Sequence, residues 1–185
     1  MNARLPSRLL IVTDRHQARG PLADIVHEAV RAGAHWIWVR DRDLPPGERR
    51  GLAVALLAIT RRAQAKLTVG ADAILGVSAH DDADVAAAVA AGADYATLSP
   101  IFATTSKPGY GPELGLAALT RAARHGLPLL ALGGVMPERA HECVAAGAAG
   151  VAVMGEVMRA AGPPSRVGEV VCGFLDALCV PANRR

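Results

Sequence analysis

Two apolar runs of this sequence are each followed by glycine, and one of them is also followed by the predicted start of a helix. Glycine backbone and the first turn of a helix can both bind a phosphate group. Gly133 and Gly134 come directly after one apolar run, and Pro137 then suits the first turn of a helix. Glycine lets the backbone approach an anion closely, and the first N–H groups of a helix attract negative charge. Gly155 follows the last apolar run. We predict a phosphate cradle at these three glycines; the alternative is two ordinary turns.

Three basic side chains are candidates for contact with the same anion. Arg40 and Arg42 alternate at an extended strand end, so both can point into one pocket, where guanidinium groups bind phosphate or diphosphate. Pairing with Asp41, Asp43 and neighbouring carboxylates is the alternative. Lys107 lies in a loop rich in hydroxyl groups and glycine, and such a loop is suited to closing over an anion.

His80 is the candidate for proton transfer. It follows an apolar run and precedes the helix cap predicted at Asp81, and an imidazole titrates near neutral pH. The alternative is a histidine that only caps a helix or forms a hydrogen bond. The other histidines are interpreted as structural or exposed. None of them is paired at metal-ligand spacing, so the residues themselves predict no metal site.

A repeated pattern predicts the elements that position these residues. Gly33, Gly92 and Gly147 each stand between two alanines and precede an apolar run, at intervals of about two βα units. Glycine in this position closes a helix, and a continuous apolar run is typical of a parallel strand covered on both faces. Further strands are predicted at residues 9–13, 74–78 and 129–132. The fold class is therefore α/β, a TIM-type (β/α) barrel, with a doubly wound sheet as the alternative.

One connection does not fit a complete barrel. The apolar runs 66–69 and 74–77 are separated only by residues 70–73. A parallel crossover needs roughly ten to twelve residues. Either one run is not a strand, or the barrel is shortened or incomplete around its third and fourth strands.

Composition limits the remaining options. The chain of 185 residues is predicted to be one domain, and its net charge of +3 with two each of Trp, Tyr and Phe argues against nucleic-acid binding. No apolar run is long enough to span a bilayer and the first residues lack a signal-peptide core, so no membrane contact and a cytoplasmic location are expected. Cys143, Cys172 and Cys179 show no CxxC spacing and are predicted to be buried apolar residues.

The sequence resembles a known family in several segments that follow one another in family order. They include Val-Arg-Asp-Arg-Asp at 39–43, Gly-Val-Ser-Ala-His at 76–80, Ser-Pro-Ile-Phe at 99–102 and Leu-Gly-Gly-Val at 132–135. Similar segments also occur at 10–15, 92–95, 106–108, 114–116 and 150–154. The family is that of thiamine phosphate synthase and the TenI thiazole tautomerase.

The resemblance implies a (β/α)8 fold acting on hydroxyethyl-methylthiazole phosphate in thiamine biosynthesis. In the synthase, the thiazole nitrogen displaces diphosphate from an aminopyrimidine diphosphate, aided by Mg²⁺; in the tautomerase, a histidine matched by His80 transfers a proton. Arg40 and Arg42 would then hold the diphosphate, and Ser78 would contact substrate. The matched loop residues are Thr104, Ser106 and Lys107, and the matched phosphate cradle is Gly133, Gly134 and Gly155.

The sequence also departs from the family pattern. Trp38 stands where the synthase usually has Gln, and the segments that carry the magnesium carboxylates after the third and fourth strands are absent. Mg²⁺ is therefore expected only if the synthase reaction is catalysed, without matched protein ligands. The residues present favour the tautomerase slightly, and a non-catalytic phosphate-ligand binder or regulator is the alternative. A homodimer that covers the open side is also expected.

Overall fold

Strands and helices alternate along most of the described chain. The computed structural model describes residues 5–69, 75–104 and 112–179. The strands are Leu9–Val12 (β1), Trp36–Trp38 (β2), Lys66–Thr68 (β3), Gly76–Ala79 (β4), Tyr95–Leu98 (β5), Leu129–Ala131 (β6) and Gly150–Val153 (β7). The helices are Leu22–Arg31 (α1), Pro46–Arg62 (α2), Asp82–Ala90 (α3), Gly115–Ala122 (α4), Pro137–Ala145 (α5), Gly155–Ala160 (α6) and Val167–Cys179 (α7). Among the described helices, none combines the length and the apolar character that crossing a membrane requires.

The sheet is a curled half-barrel of parallel strands. Its order is β3-β2-β1-β7-β6-β5-β4, with β1 paired to β7 in the register Leu9 to Val151. The pairing of the first strand with the last is what a barrel requires. In a doubly wound sheet the strand numbers rise outward on both sides of the first strand, as in the order 3-2-1-4-5-6. The predicted TIM-type barrel is confirmed, and the doubly wound alternative is wrong.

The sheet is open between β3 and β4. Both apolar runs are strands, but β3 pairs with β2 and β4 pairs with β5, and in the described part of the chain neither has a second neighbour. The predicted strand 74–78 begins at Gly76 instead, and residues 70–74 lie outside the described ranges. The expectation of an incomplete barrel around the third and fourth strands is therefore confirmed.

Local sequence signals place the helices as expected. The apolar stripe of α1 is buried against the sheet. The Asp81 carboxylate accepts a hydrogen bond of 2.8 Å from the Asp84 N–H and so caps α3. The repeated glycines Gly33, Gly92 and Gly147 have φ values of 101°, 73° and 104°, the left-handed region that ends a helix.

Two aromatic residues fill the inside of the half-barrel. Trp36 on β2 and Tyr95 on β5 meet edge to face, with ring centroids 5.0 Å apart, although their strands are not neighbours in the sheet. The Trp36 indole N–H donates a 3.0 Å hydrogen bond to the Thr68 hydroxyl, and the Tyr95 ring lies where a Cβ on Gly76 would be. Burial raises the pKa of Tyr95. Together these contacts pack the interior without an eighth strand.

Thr97, next to this aromatic pair on β5, carries a buried hydroxyl with no hydrogen-bond partner among the described residues. Its side chain is 2% exposed. An unpaired buried hydroxyl costs free energy that an apolar group of the same shape does not.

Replacing Thr97 with Val should therefore raise the free energy of unfolding by about 1 kcal/mol, since Val keeps the shape and the β-branching. The control is the same substitution at Thr13, a fully buried residue whose hydroxyl donates a 2.6 Å hydrogen bond to Asp41. Thr13→Val should lower the free energy of unfolding by roughly 1–3 kcal/mol. Urea unfolding measures both, and a loss of stability in Thr97→Val would show that its hydroxyl has a partner.

The cysteines differ in exposure. Cys143 on α5 is fully buried, and burial raises the pKa of its thiol to about 11. Cys172 and Cys179 are exposed, so the prediction of buried residues is wrong for both. The reason is that α7 buries one stripe, formed by Val167, Val171, Phe174 and Leu178, and both cysteines lie outside it.

Two of the three thiols should therefore react fast with an aromatic disulfide reagent near pH 8, and the third should react only on unfolding. Cys172 and Cys179 are exposed, whereas Cys143 is buried and its raised pKa lowers its reactivity. The absorbance of the released thiolate gives the count, and Cys143→Ala should leave the fast phase unchanged. A third fast thiol would contradict the packing of α5.

Candidate active site

The loops after β5, β6 and β7 enclose a cavity of about 280 Å³, called cavity A. It lies at the C-terminal end of the strands, where barrels carry their ligand sites. Four predicted residues line it: Thr104, Gly133, Gly134 and Gly155. The other lining residues are Ser99, Pro100, Ala103, Leu132, Val135, Met136, Ala152, Val153, Met154, Glu156 and Arg159.

The glycine pair allows two loops to meet at the wall of cavity A. Gly133 and Gly134 have φ values of 92° and 62°. A Cβ on Gly133 would come within 2.8 Å of the Pro100 Cα, and one on Gly134 would overlap the Ala103 carbonyl oxygen. The Phe102 N–H donates a 3.0 Å hydrogen bond to the Gly133 carbonyl. The glycines therefore let the loop after β5 pack closely against the loop after β6 beside cavity A. The sequence did not reveal this packing role.

Two charged residues of cavity A were missed by the sequence analysis. Arg159 donates hydrogen bonds to the Glu156 carboxylate, at 2.6 Å, and to the Gln17 amide oxygen, at 2.7 Å. These contacts hold a guanidinium group at the rim and offset the negative charge of Glu156. The only sequence signal was the i,i+3 spacing of Glu156 and Arg159, which is common on helix surfaces.

A second cavity of about 310 Å³, called cavity B, lies over the ends of β1 and β2. Both predicted arginines, Arg40 and Arg42, line it. Its remaining lining residues are Thr13, Asp14, His16, Asp41 and Asp43. His16, interpreted from sequence as structural or exposed, therefore also belongs to this cavity.

The carboxylates of cavity B are mostly engaged by the chain segment after β1. Asp41, 5% exposed, accepts hydrogen bonds from the Thr13 hydroxyl at 2.6 Å and from the Arg15 N–H at 2.9 Å. Asp43 accepts from the Arg15 guanidinium at 2.6 Å and contacts His16 at 2.8 Å. Arg15 first, and then His16, hold the pKa of the Asp43 carboxyl well below its usual range, so Asp43 is ionised at neutral pH.

Neither predicted arginine pairs with Asp41 or Asp43, but Arg40 forms an ion pair with a neighbouring carboxylate, as the alternative considered from sequence expected. Arg40 lies 3.8 Å from an Asp14 carboxylate oxygen, and the Arg42 guanidinium lies 5.8 Å from the centre of the Trp38 ring. Arg40 also lies 3.9 Å from the sulfur of Met154, which lines cavity A. Cavities A and B therefore adjoin at this contact.

His80 lies beside cavity A in a fixed orientation. Its Nδ1–H donates a 2.9 Å hydrogen bond to the carbonyl of Ser99, a residue that lines the cavity. Since a carbonyl can only accept, Nδ1 carries the proton and Nε2 holds the lone pair in the neutral ring. The His80 backbone N–H donates to the Asp84 carboxylate at 2.8 Å. The arrangement is that of an oriented acid-base group.

The described structure places none of the remaining predicted site residues at either cavity. Ser78 lies on β4 opposite Thr97 and lines neither cavity A nor cavity B. Ser106 and Lys107 lie outside the described residues. Within residues 5–69, 75–104 and 112–179, no group of three or more His, Cys, Asp or Glu side chains is arranged to hold a metal ion.

Known proteins resemble this chain in sequence and in fold. Residues 65–157 match the family model described as thiamine monophosphate synthase. The thiamine-phosphate synthase of Roseiflexus sp. (strain RS-1) is 36% identical over 186 residues, covering 83% of this chain and 79% of that protein. The thiamine-phosphate synthase of Methanoculleus marisnigri is 36% identical over 183 residues, covering 81% of this chain and 87% of the relative.

A solved structure, the thiamine phosphate pyrophosphorylase from Pyrococcus furiosus, shares the fold with a TM-score of 0.78 and 23% identity, over 92% of this chain and 94% of that one. The likeness covers most of both chains, so the half-barrel shares the architecture of that structure. The family resemblance drawn from the sequence motifs is thus confirmed by an independent family model and by relatives matched over most of their length. The chain belongs to the thiamine monophosphate synthase/TenI family.

Proposed function

We propose that the protein acts in thiamine biosynthesis by binding hydroxyethyl-methylthiazole phosphate in cavity A and coupling it to aminopyrimidine diphosphate in cavity B. The observation that carries this proposal is the contact of the two cavities at Arg40 and Met154. One cavity has a glycine-lined wall suited to a phosphate, and the other has two arginines suited to a diphosphate. The names of the two relatives described above, both thiamine-phosphate synthases, support the same reaction.

In this proposal the thiazole phosphate is held by backbone N–H groups and by two cations, Arg159 and Lys107. Gly133 and Gly134 let the phosphate approach main-chain N–H groups, and α5 begins just beyond them at Pro137. Arg159 adds positive charge at the rim. Lys107 is proposed to close over the ligand from the loop after Thr104. The thiazole ring would then lie against the apolar side chains near Met154.

The coupling reaction needs a leaving-group site more than it needs a base. The thiazole nitrogen forms a bond to the methylene carbon of the pyrimidine, and the bond from that carbon to the diphosphate oxygen breaks. The nitrogen keeps the positive charge of a thiazolium ion, and the diphosphate leaves with the bonding electrons, so no proton moves in this step. Arg40 and Arg42 line the cavity where the departing negative charge would collect.

The carboxylates of cavity B do not fit a magnesium site. Asp14 accepts hydrogen bonds from the His16 backbone N–H and the Gln17 amide. Asp41 is hydrogen-bonded to Thr13 and Arg15, and Asp43 is hydrogen-bonded to Arg15 and His16. Magnesium prefers several free oxygen ligands in octahedral geometry. We therefore propose no protein ligand for Mg²⁺ among the described residues. Its place in the proposal is only that of a counter-ion brought by the diphosphate, and no step is assigned to it.

Thiazole tautomerisation is the second candidate, and the orientation of His80 favours it. Aromatisation of the ring removes a proton from one carbon and returns a proton to another position, which leaves the molecular formula unchanged. The lone pair on Nε2 of His80 could accept that proton, because Nδ1–H is held by the Ser99 carbonyl. This reaction uses cavity A alone.

Two less specific proposals concern the location of the protein in the cell and its oligomeric state. A cytoplasmic location agrees with the biosynthetic role of the relatives. A homodimer is proposed because the sheet is open between β3 and β4.

Calorimetric titration with the thiazole phosphate, alone and then with aminopyrimidine diphosphate and Mg²⁺, tests the proposed function. We expect binding of the thiazole phosphate and formation of thiamine phosphate in the complete mixture. Binding without product, but with conversion of the thiazole tautomer, would favour the second candidate. Binding with neither reaction would indicate a non-catalytic binder, and an absence of binding would contradict the role given to cavity A.

Two single substitutions separate the coupling reaction from tautomerisation. Arg40→Met removes a cation from the leaving-group site, so it should lower kcat/KM for coupling by roughly a hundredfold while the thiazole phosphate affinity stays within a few-fold. His80→Asn removes the proton acceptor, so it should lower tautomerisation by a factor of roughly 10²–10⁴ and leave coupling within a few-fold. Steady-state kinetics of both reactions measure the effects. Arg31→Met, on the exposed end of α1, is the control.

A further inference from the structure

A third cavity, of about 580 Å³ and called cavity C, is lined by the segment after β1, by α6, by the loop from α6 to α7 and by α7. Its volume lies within the range of small-molecule sites. It shares Glu156 and Arg159 with cavity A and, among the described residues, none with cavity B. The proposed reaction gives cavity C no role.

The charged lining of cavity C is mainly positive. Three arginines, Arg19, Arg159 and Arg166, line it together with one carboxylate, that of Glu156. Arg19 is exposed, and within the described ranges its side chain has no hydrogen bond or ion pair. Arg166 pairs with Glu169 at 2.9 Å, but both side chains are 69% exposed, and such a pair contributes little stability. These arginines are therefore available to an anion.

Backbone hydrogen bonds fix the segments that carry these arginines. The Arg19 N–H donates a 3.1 Å hydrogen bond to the Met158 carbonyl, and the Arg166 N–H donates a 2.9 Å hydrogen bond to the Ala160 carbonyl. Both acceptors belong to α6, the helix that also carries Arg159. Guanidinium groups bind the oxygen atoms of a phosphate group well, and little main-chain freedom is lost when the segments are already in place.

The remaining side chains around cavity C are apolar. Apart from the four charged residues and Gly162, the described lining consists of Ala160, Ala161, Pro163, Pro164 and Val170. A ligand that matches both parts of the lining carries a phosphate group and a small apolar organic group. A phosphate monoester has this chemistry, whereas inorganic phosphate matches the arginines alone.

Arg159 and Glu156 connect cavity C to cavity A. Arg159 donates hydrogen bonds to the Glu156 carboxylate at 2.6 Å and to the Gln17 amide oxygen at 2.7 Å. An anion in cavity C that takes this guanidinium as its partner leaves the Glu156 carboxylate beside cavity A without its cation. Negative charge then opposes a phosphate in cavity A, and two bound anions also repel each other. Occupancy of one cavity therefore weakens binding in the other.

We propose that cavity C is a second anion site, which binds a phosphate monoester and thereby lowers the affinity of cavity A for its own phosphate ligand. The site itself depends only on the lining of cavity C. The coupling rests on the proposed function, since it assumes that the thiazole phosphate occupies cavity A. Because coupling is reciprocal, the thiazole phosphate lowers the affinity of cavity C by the same factor. A ligand of cavity C therefore inhibits without resembling the thiazole.

Titration of ¹⁵N-labelled protein with phenyl phosphate, followed by NMR, tests the site. The amide signals of Arg19, Ala161, Gly162 and Arg166 should shift saturably, with a dissociation constant of about 1 mM or lower. Inorganic phosphate should bind there several-fold more weakly, because it leaves the apolar side chains in water. Sodium chloride at the same ionic strength should not reproduce the shifts. No saturable shift at these amides, or equally tight binding of inorganic phosphate, would overturn the assignment.

Two substitutions locate the bound phosphate in cavity C. Arg19→Met should raise the dissociation constant of phenyl phosphate at these amides by roughly tenfold, because it removes a charged hydrogen-bond donor. Arg166→Met should act in the same direction. Arg124→Met is the matched control, since Arg124 is exposed and lines none of the three cavities, and it should have no effect. An unchanged dissociation constant in both cavity C variants would contradict the site.

Calorimetric titration with the thiazole phosphate measures the coupling. Saturating phenyl phosphate should raise the dissociation constant of the thiazole phosphate by roughly fivefold or more in the unaltered protein. The increase should largely disappear in the double variant Arg19→Met with Arg166→Met, because neither residue lines cavity A. An increase that persists in the double variant would show competition within cavity A and overturn the coupling. No binding of the thiazole phosphate at all would contradict the proposed function, and the NMR shifts would still decide the site.

Discussion

Residues 69–75 alone connect β3 to β4, and the rest of the structure is arranged around this short connection. Too few residues are present for a crossover helix, so the two strands cannot be neighbours in a parallel sheet. They lie instead at opposite edges, and the sheet curls only part of the way around. The pairing of β1 with β7 keeps the remaining strands in barrel order. Trp36 and Tyr95 then fill the interior that a complete ring of strands would enclose.

The sequence predicted the features that depend on neighbouring residues. The strands appear as continuous apolar runs because both of their faces are covered, and the glycines at 33, 92 and 147 end helices because a left-handed conformation is needed there. Gly133, Gly134 and Gly155 were located from the strand pattern, since they lie two or three residues beyond the ends of β6 and β7. The exposed Cys172 and Cys179 were predicted wrongly because composition alone does not give the face of a helix.

The features that the sequence could not predict join residues far apart in the chain. The carbonyl that fixes the His80 ring belongs to Ser99, the sulfur beside Arg40 belongs to Met154, and the edge-to-face partner of Trp36 is Tyr95. None of these pairs has a periodic spacing, because each depends on how strands lie across the half-barrel. The roles predicted for Lys107, Ser106 and Ser78 stay predictions.

Cavity A is formed by the end of β7, the loops after β5, β6 and β7, and α6, on the side of the sheet away from β3. Each of these strands has its usual neighbours, so the pocket does not depend on the missing part of the barrel. In evolutionary terms the fold is divisible: a barrel can be shortened between β3 and β4 while the side of the sheet formed by β5, β6 and β7 keeps a complete ligand pocket. Such a shortened protein still has a binding site, and selection has only to act on what the missing βα unit would supply.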